Sequence, residues 1–163
     1  MLPELDKITQ DLDADWRTLT DTLDQLSEDE LSRSPGDGQY SGREMLAHLA
    51  GAERGLTRLL ELMAAGEFPR LRPDYNNDFY NARQQEKRAK LSTNDLRAEL
   101  QDLRAKLLAF METLRAEDLP KHGEHPTQGI LTVRGVLESL QQHEHNHIAE
   151  FGAWADTMIR TRK

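Results

Sequence analysis

The 163-residue sequence carries a formal net charge of −8, with 29 Asp and Glu residues against 21 Lys and Arg residues. Because nucleic-acid binding requires a basic surface that neutralises phosphates, this balance predicts no nucleic-acid partner. The sequence has no run of eighteen apolar residues and no positively charged leader, so we expect no membrane span and no signal peptide. It contains no cysteine, which rules out disulfides and an intrinsic catalytic thiol and is compatible with the cytoplasmic localisation that we expect.

Two segments in the first half of the sequence repeat apolar residues at intervals of three and four, the period of an amphipathic helix. The first extends from Leu5 to Leu26. The second begins at Ser41, with Glu44 three residues later, which is the spacing of a capping box, and it ends near Gly66.

Two further helical segments follow in the second half. The third is capped by Ser92 or Thr93 and ends at Leu114, and the fourth extends from about Thr132 to Met158. Between the second and third segments, residues 74–90 predict a shorter, mostly polar helix, whose apolar side consists of Tyr75, Phe79 and Tyr80.

The remaining stretches predict connections between helices. Proline and glycine interrupt residues 119–129, which indicates a loop before the last helix. No segment alternates polar and apolar residues over a useful length, so we expect no β-sheet. Four amphipathic helices would bury their apolar stripes against one another, and the sequence therefore predicts an all-α four-helix bundle forming one domain over residues 1–163.

Two histidines interrupt the apolar stripe of the fourth segment. Its apolar positions include 133, 136 and 140 and resume at 151, 154 and 158, with His143 and His147 where we expect apolar side chains. Their spacing places both imidazoles on one helix face. An unpaired polar group buried in the bundle costs about 1–3 kcal/mol. A divalent metal would offset that cost, and so would hydrogen bonds to a carboxylate or a backbone carbonyl.

His48 borders the apolar stripe of the second segment and favours the metal. A third imidazole on a facing helix would complete a site with open coordination positions, which is typical of catalytic metals. The other histidines fit less well: His145 is turned by about 200° from His143, and the remaining two, His122 and His125, lie in the predicted loop, where we expect solvated or capping roles. We therefore predict one divalent metal bound by His48, His143 and His147.

Residues 143–147 also match the H-E-x-x-H signature of zinc peptidases, in which the glutamate is the general base. Such enzymes take a third ligand from further along the chain, but only sixteen residues follow His147, and they continue the same predicted helix. The expected absence of a strand to hold a peptide argues in the same direction. A zinc hydrolase or peptidase that uses Glu144 is therefore a minor alternative.

Three short motifs, in the right order along the chain, resemble the DinB/YfiT-like superfamily of metal-binding four-helix bundles. Residues 41–49 (SGREMLAHL) open the second helix, and residues 132–137 (TVRGVL) lead to His143 and His147 in the last. Between them, residues 78–82 (DFYNA) resemble a segment of the branch that includes mycothiol-dependent maleylpyruvate isomerase-like proteins.

This resemblance implies an up-down-down-up bundle, with the short polar helix in a long crossover between helices two and three. It also implies a nickel, zinc, iron or manganese ion on the histidine triad. Relatives include transferases and isomerases that act on small molecules with a thiol cosubstrate such as bacillithiol or mycothiol.

The leading functional hypothesis is accordingly a metal-dependent enzyme with thiol-dependent transferase or isomerase chemistry on a small-molecule substrate. The alternative is a non-catalytic metal-binding or stress-response bundle, and a homodimer is plausible in either case. The sequence alone assigns no catalytic residue. The candidates for acid–base or supporting roles are Glu144, Tyr75 and Asn81, followed by Glu53 and Glu150.

Overall fold

The computed structural model describes residues 1–36 and 38–162 of the chain. A short 3-10 turn, Pro3–Leu5, precedes the first helix. The further elements in chain order are α1 (Asp6–Leu23), α2 (Glu28–Leu31), α3 (Gly42–Ala64), α4 (Asn77–Arg88), α5 (Thr93–Thr113), β1 (His122–His125), β2 (Gly129–Thr132) and α6 (Val133–Arg160).

The bundle helices α3, α5 and α6 begin at hydroxyl caps that satisfy the free backbone N–H groups of their first turns. Ser41 accepts a hydrogen bond from the Glu44 backbone, and the Glu44 carboxylate accepts one from the Ser41 backbone, which confirms the predicted capping box. Ser92 caps α5 in the same way, and Thr132 accepts from the backbone of the third residue of α6.

The core consists of two apolar clusters stacked along the bundle. One contains residues from the first halves of α1 and α6 and the second halves of α3 and α5. The other contains residues from the opposite half of each of these helices. Helices α1 and α6 therefore point one way along the bundle and α3 and α5 the other, in agreement with the up-down-down-up order. The predicted four-helix bundle is confirmed.

Helix α4 lies in the crossover and packs against α3 through a polar stripe. A Cβ on Gly51 would lie 2.8 Å from the Gln84 side chain, and one on Gly55 would lie 2.8 Å from the Tyr80 hydroxyl. The two glycines therefore allow the close approach of α4. The expected apolar side is wrong for Phe79, which is 67% exposed. Tyr80 and Gln84 face α3 instead, and Arg88, one turn further, pairs with Glu99 of α5.

The prediction of no β-sheet is wrong. Strands β1 and β2 form an antiparallel hairpin in which His122 pairs with Thr132 and His125 with Gly129. Gly129 has a φ of 73°, a left-handed conformation that favours glycine in the turn. Strands of four residues with histidine and glycine in β1 carry too little alternation to be recognised from the sequence.

The hairpin holds the segment that follows α3. The Glu124 backbone N–H donates to the Pro69 carbonyl at 2.9 Å, and the Glu124 carboxylate accepts from the Leu71 N–H at 2.9 Å. The chain between α3 and α4 is thereby fixed beside the bundle. In the part of the chain that the structure describes, no helix is long and apolar enough to cross a membrane.

Candidate metal centre

Three histidines from two helices meet at one side of the bundle. His48 comes from α3, and His143 and His147 come from successive turns of α6. One ligand nitrogen from each ring lies within 4.8 Å of the other two, and the Nε2 atoms of His48 and His143 are 3.0 Å apart. The structure thus brings together the three residues that the sequence singled out.

The register of α6 differs from the prediction. Its buried stripe in this region contains Leu140, Glu144 and Ile148, and His143 and His147 are only partly buried beside it. Each residue turns a helix by about 100°, so an error of one position moves the histidines from the centre of the bundle to its flank. The imidazoles face α3 and the surface concavities, where a ligand can reach them.

The electrostatics of the cluster favour neutral rings. Burial first, and the His147 ring second, lower the pKa of His48 to about 4. Burial is also the main cause that lowers the pKa of His143 to about 3, and it lowers the pKa of His147. At neutral pH all three rings can therefore offer a nitrogen lone pair, as metal binding requires.

The donor set fits one divalent ion. With metal–nitrogen distances of roughly 2.1 Å, tetrahedral ligand atoms lie about 3.4 Å apart, close to the 3.0 Å between the facing Nε2 atoms. The Glu150 carboxylate lies 3.5 Å from Nδ1 of His147 and leaves Nε2 for the ion. Within residues 1–36 and 38–162, no fourth His, Asp or Glu joins the cluster. Coordination positions therefore remain for an external ligand.

Two separate concavities adjoin the histidine cluster. The first, which we call the inner cavity, has a volume of about 330 Å³ and is lined by His48 and His143 together with residues of α3, α4 and the hairpin. The second, the outer groove, has a volume of about 760 Å³ and is lined by His147, Tyr40 and Trp154 among others. The cluster lies between them.

The family model of the DinB superfamily matches residues 11–151. The chain belongs to the DinB superfamily. Among curated proteins, the chain is 27% identical over 145 residues to "Putative metal-dependent hydrolase YfiT" of Bacillus subtilis, covering 88% of this chain and 80% of that protein. It is 24% identical to "Putative metal-dependent hydrolase OB0413" of Oceanobacillus iheyensis, covering 80% of this chain and 73% of that protein.

Solved structures of other proteins show the same architecture. The YfiT structure, described as having an unusual four-helix bundle topology, has a TM-score of 0.81 at 25% identity and covers 97% of this chain and 90% of its own. The mycothiol-dependent maleylpyruvate isomerase has a TM-score of 0.75 at 17% identity, covering 93% of this chain and 61% of its own. At that identity, the isomerase shows the fold alone.

In this DinB-superfamily chain a second polar cluster lies inside the bundle, which we call the core ion cluster: Arg104, Glu144 and Glu53. Arg104 of α5 forms an ion pair with Glu144 of α6, its Nε lies 3.6 Å from Glu53 of α3, and it donates to the Leu12 carbonyl of α1 at 2.7 Å. One guanidinium therefore contacts the three other bundle helices. The sequence pattern did not reveal it, because the partners are distant in the chain.

The charges of the core ion cluster are balanced internally. Burial, and next the nearby Glu144 carboxylate, raise the pKa of Glu53 well above its usual range. A protonated Glu53 leaves Arg104 and Glu144 as a single buried ion pair, which avoids the cost of a second buried negative charge. Glu144 is 2% exposed and occupied by Arg104, so it is not available as the general base of a peptidase.

The other candidate residues have different outcomes. Tyr75 and Asn81 line the inner cavity, and their roles stay predictions. His145 lies 2.9 Å from the Asp15 carboxylate and is outside the cluster, and His122 is exposed as expected. His125 accepts from the Thr127 backbone N–H, which agrees with the expected capping role. It is not solvated, because the ring is 6% exposed, and it also lines the inner cavity.

Proposed function

We propose that this DinB-superfamily chain is a divalent-metal-dependent enzyme of thiol-dependent transferase or isomerase chemistry. In this proposal His48, His143 and His147 hold a nickel, zinc, iron or manganese ion. A low-molecular-weight thiol such as bacillithiol or mycothiol is the cosubstrate, and a small organic molecule is the substrate. The observation that carries the proposal is the position of the histidine cluster between two concavities.

Two concavities suit two reactants. A hydrolase needs space for one organic substrate, since its second reactant is water, whereas a thiol transferase must hold the thiol and its acceptor on different sides of the reacting centre. The chain has no cysteine, so an organic thiol nucleophile must come from a cosubstrate. A thiol cosubstrate also agrees with the reducing cytoplasm that we expected from the sequence.

The ion would supply Lewis acidity that lowers the pKa of a thiol or water bound to it. The chain's own residues would bind and orient the substrate. Burial raises the pKa of Tyr75, so its hydroxyl keeps its proton and donates to the Asn77 side chain at 3.0 Å. Tyr75 and Asn81 are the polar groups that we assign to substrate positioning in the inner cavity.

Hydrolysis with water as the nucleophile is the second candidate, because two relatives carry the name of metal-dependent hydrolases. A peptidase is disfavoured, since Glu144 pairs with Arg104 inside the bundle. A non-catalytic bundle predicts a metal closed off from solutes, which the two adjoining concavities argue against.

Metal analysis tests the proposed metal site. Purified protein refilled with nickel or zinc and then desalted should retain about one ion per chain, as measured by elemental analysis, because three imidazoles converge on one point. His147→Ala should lose it. His145→Ala is the matched control, since it removes an imidazole from the same helix but outside the cluster. Wild-type protein without stoichiometric metal would contradict the proposed function.

An assay of thiol conjugation tests the proposed transferase activity. Metal-loaded protein is incubated with bacillithiol or mycothiol and monochlorobimane, and the fluorescent conjugate is measured. Metal-dependent conjugation that disappears in His147→Ala supports the transferase. If the metal-loaded protein instead hydrolyses p-nitrophenyl acetate without any thiol and forms no conjugate, hydrolysis is the better assignment.

A further inference from the structure

The wall of the inner cavity contains a hydrogen-bonded group that the proposed function does not use: His125, Ser139 and Gln128. The Ser139 Oγ lies 3.2 Å from His125 Nε2 and accepts from Gln128 Nε2 at 2.7 Å. On its other side, His125 Nδ1 accepts from the Thr127 backbone N–H at 3.2 Å. All three residues line the inner cavity.

These contacts determine which nitrogen of His125 carries the proton. A backbone N–H only donates, so Nδ1 must be the unprotonated acceptor. Burial lowers the pKa of His125, and the neutral ring then carries its single proton on Nε2. His125 is therefore a hydrogen-bond donor to Ser139 and cannot act as a base that activates this serine.

Ser139 consequently accepts two hydrogen bonds, one from His125 and one from Gln128. A hydroxyl oxygen has two lone pairs and one proton, so both lone pairs are occupied and the proton is free to be donated. Among the described residues, no acceptor takes this proton. Because Ser139 precedes His143 by one helical turn, its hydroxyl lies on the same face of α6 as the metal ligands.

We propose that Ser139 is a substrate-positioning residue that donates its hydroxyl proton to an oxygen of the molecule in the inner cavity. The ligand class that fits is a small organic acid or carbonyl compound with an apolar body. Its oxygen would accept from Ser139, and its body would contact the leucines of the cavity wall: Leu56, Leu59, Leu62 and Leu71. The inference rests on the proposed function only for the reaction that follows, since the hydroxyl contact itself requires no metal.

The proton position on His125 is tested by NMR on the metal-free, ¹⁵N-histidine-labelled protein at neutral pH. Long-range ¹H–¹⁵N spectra, assigned by comparison with His125→Gln, should show the Nε2–H tautomer for this ring. An Nδ1–H tautomer would overturn the proposal, because His125 Nε2 would then take the Ser139 proton.

Ligand binding is tested with two probes, 3-phenylpropionate and n-propylbenzene, titrated into metal-free and zinc-loaded protein and followed by NMR shifts. Ser139→Ala should lower the affinity for the carboxylate by about tenfold, the typical loss for a hydrogen bond to a charged group. It should leave the affinity for the hydrocarbon within about twofold of the wild-type value. Ser139→Thr keeps a hydroxyl and should restore most of the carboxylate affinity. Thr161→Ala removes a hydroxyl at the exposed end of α6, away from both concavities, and is the matched control.

Other outcomes would overturn the assignment of Ser139. If Ser139→Ala lowered the affinity for both probes equally, the residue would have only a structural role, and an unchanged affinity for the carboxylate would exclude it from ligand binding. Failure of wild-type protein to bind 3-phenylpropionate would overturn the ligand class. A protein that binds the carboxylate through Ser139 but retains no metal would contradict the proposed function and leave this inference standing.

Discussion

The histidine cluster and the core ion cluster share helices α3 and α6 and differ in how their charge is balanced, since the core ion cluster also contains Arg104 of α5. On α3 they use His48 and Glu53, and on α6 they use the adjacent residues His143 and Glu144. The core ion cluster contains its own counter-charge, whereas the histidine cluster contains only lone-pair donors of one kind. The core ion cluster therefore balances its charge without any other molecule, and the histidine cluster needs a cation from outside.

The two clusters separate the polar groups that serve stability in this bundle from those that serve binding. Arg104 and its two carboxylates are all buried and face one another. The histidines are gathered where two concavities meet, and their pKa values are lowered so that they stay neutral. Substitutions in the two clusters should therefore separate stability from metal binding.

The largest effect is expected from Arg104→Leu. Removing the only cation of the core ion cluster leaves Glu144 as an uncompensated buried charge, which should lower the free energy of unfolding by about 3–5 kcal/mol. Urea denaturation of the metal-free protein measures it. The triple variant Arg104→Met, Glu53→Gln, Glu144→Leu should recover most of the loss, and Arg97→Leu, at an exposed ion pair on the same helix, should cost little. A loss below about 1 kcal/mol would show that the cluster is not a structural unit.

A substitution in the histidine cluster should affect the stability gained from metal binding and not the stability of the metal-free protein. Nickel at about one hundred times its dissociation constant should raise the free energy of unfolding of the wild type by about 2.7 kcal/mol, because only the folded chain assembles the site. His147→Ala should lose this increment while the metal-free protein keeps nearly its original stability. His145→Ala should show the same nickel-dependent increment as the wild type in thermal denaturation, because its ring contacts Asp15 rather than the cluster. A large loss of metal-free stability in His147→Ala would argue that the histidines are structural.

Glu53→Gln should change the pH dependence of stability. The unfolded chain ionises Glu53 near the ordinary glutamate pKa of 4.5, whereas burial keeps the folded carboxyl protonated to higher pH. The unfolded state then binds fewer protons, so wild-type stability should fall as pH rises, by up to about 1.4 kcal/mol between pH 5 and pH 6. The variant lacks this proton and should show a flatter curve in urea titrations.

The control for the pH experiment is Glu61→Gln, an exposed carboxyl on the same helix, which should leave the slope as in the wild type. Parallel pH curves for the wild type and Glu53→Gln would mean that Glu53 is ionised in the folded protein.

The smallest effect is expected at Gly51, which lies on α3 between His48 and Glu53. A methyl group there would lie 2.8 Å from the Gln84 side chain. The crowding costs about 1–3 kcal/mol, partly offset by the better helix propensity of alanine. Gly51→Ala should therefore destabilise by about 1 kcal/mol in urea denaturation. Gly152→Ala, where nothing lies within 4 Å, should stabilise by about 0.5–1 kcal/mol. Equal effects at both glycines would argue against the close packing of α4.

The helices and the histidine triad were predictable because both depend on local spacing. The caps at Ser41 and Ser92 act within four residues, and the four-residue step from His143 to His147 fixes their common face. The triad required one further assumption, that His48 lies on a facing helix, and the bundle satisfies it.

The buried polar contacts of the molecule were not predicted, because they join residues that are distant in the sequence. Arg104 and Glu144 are 40 residues apart, and each resembles a solvated charge when its own helix is considered alone. His125 was missed because the hairpin turns it toward Ser139, fourteen residues away. Local patterns carry no information on such pairs, so buried polar groups were the part of the site that the sequence could not supply.

Helix α6 is uninterrupted over 28 residues and carries the serine, the glutamate and two of the three histidines of the sites described above. Ser139, His143, Glu144 and His147 are therefore held at fixed angles of about 100° and steps of about 1.5 Å per residue. A single inserted or deleted residue between Ser139 and His143 would rotate the serine away from the inner cavity by a quarter turn or more. We accordingly expect this site to change by substitution within α6. The hairpin turn before it is held to its length as well, because its Thr127 and Gln128 contact His125 and Ser139.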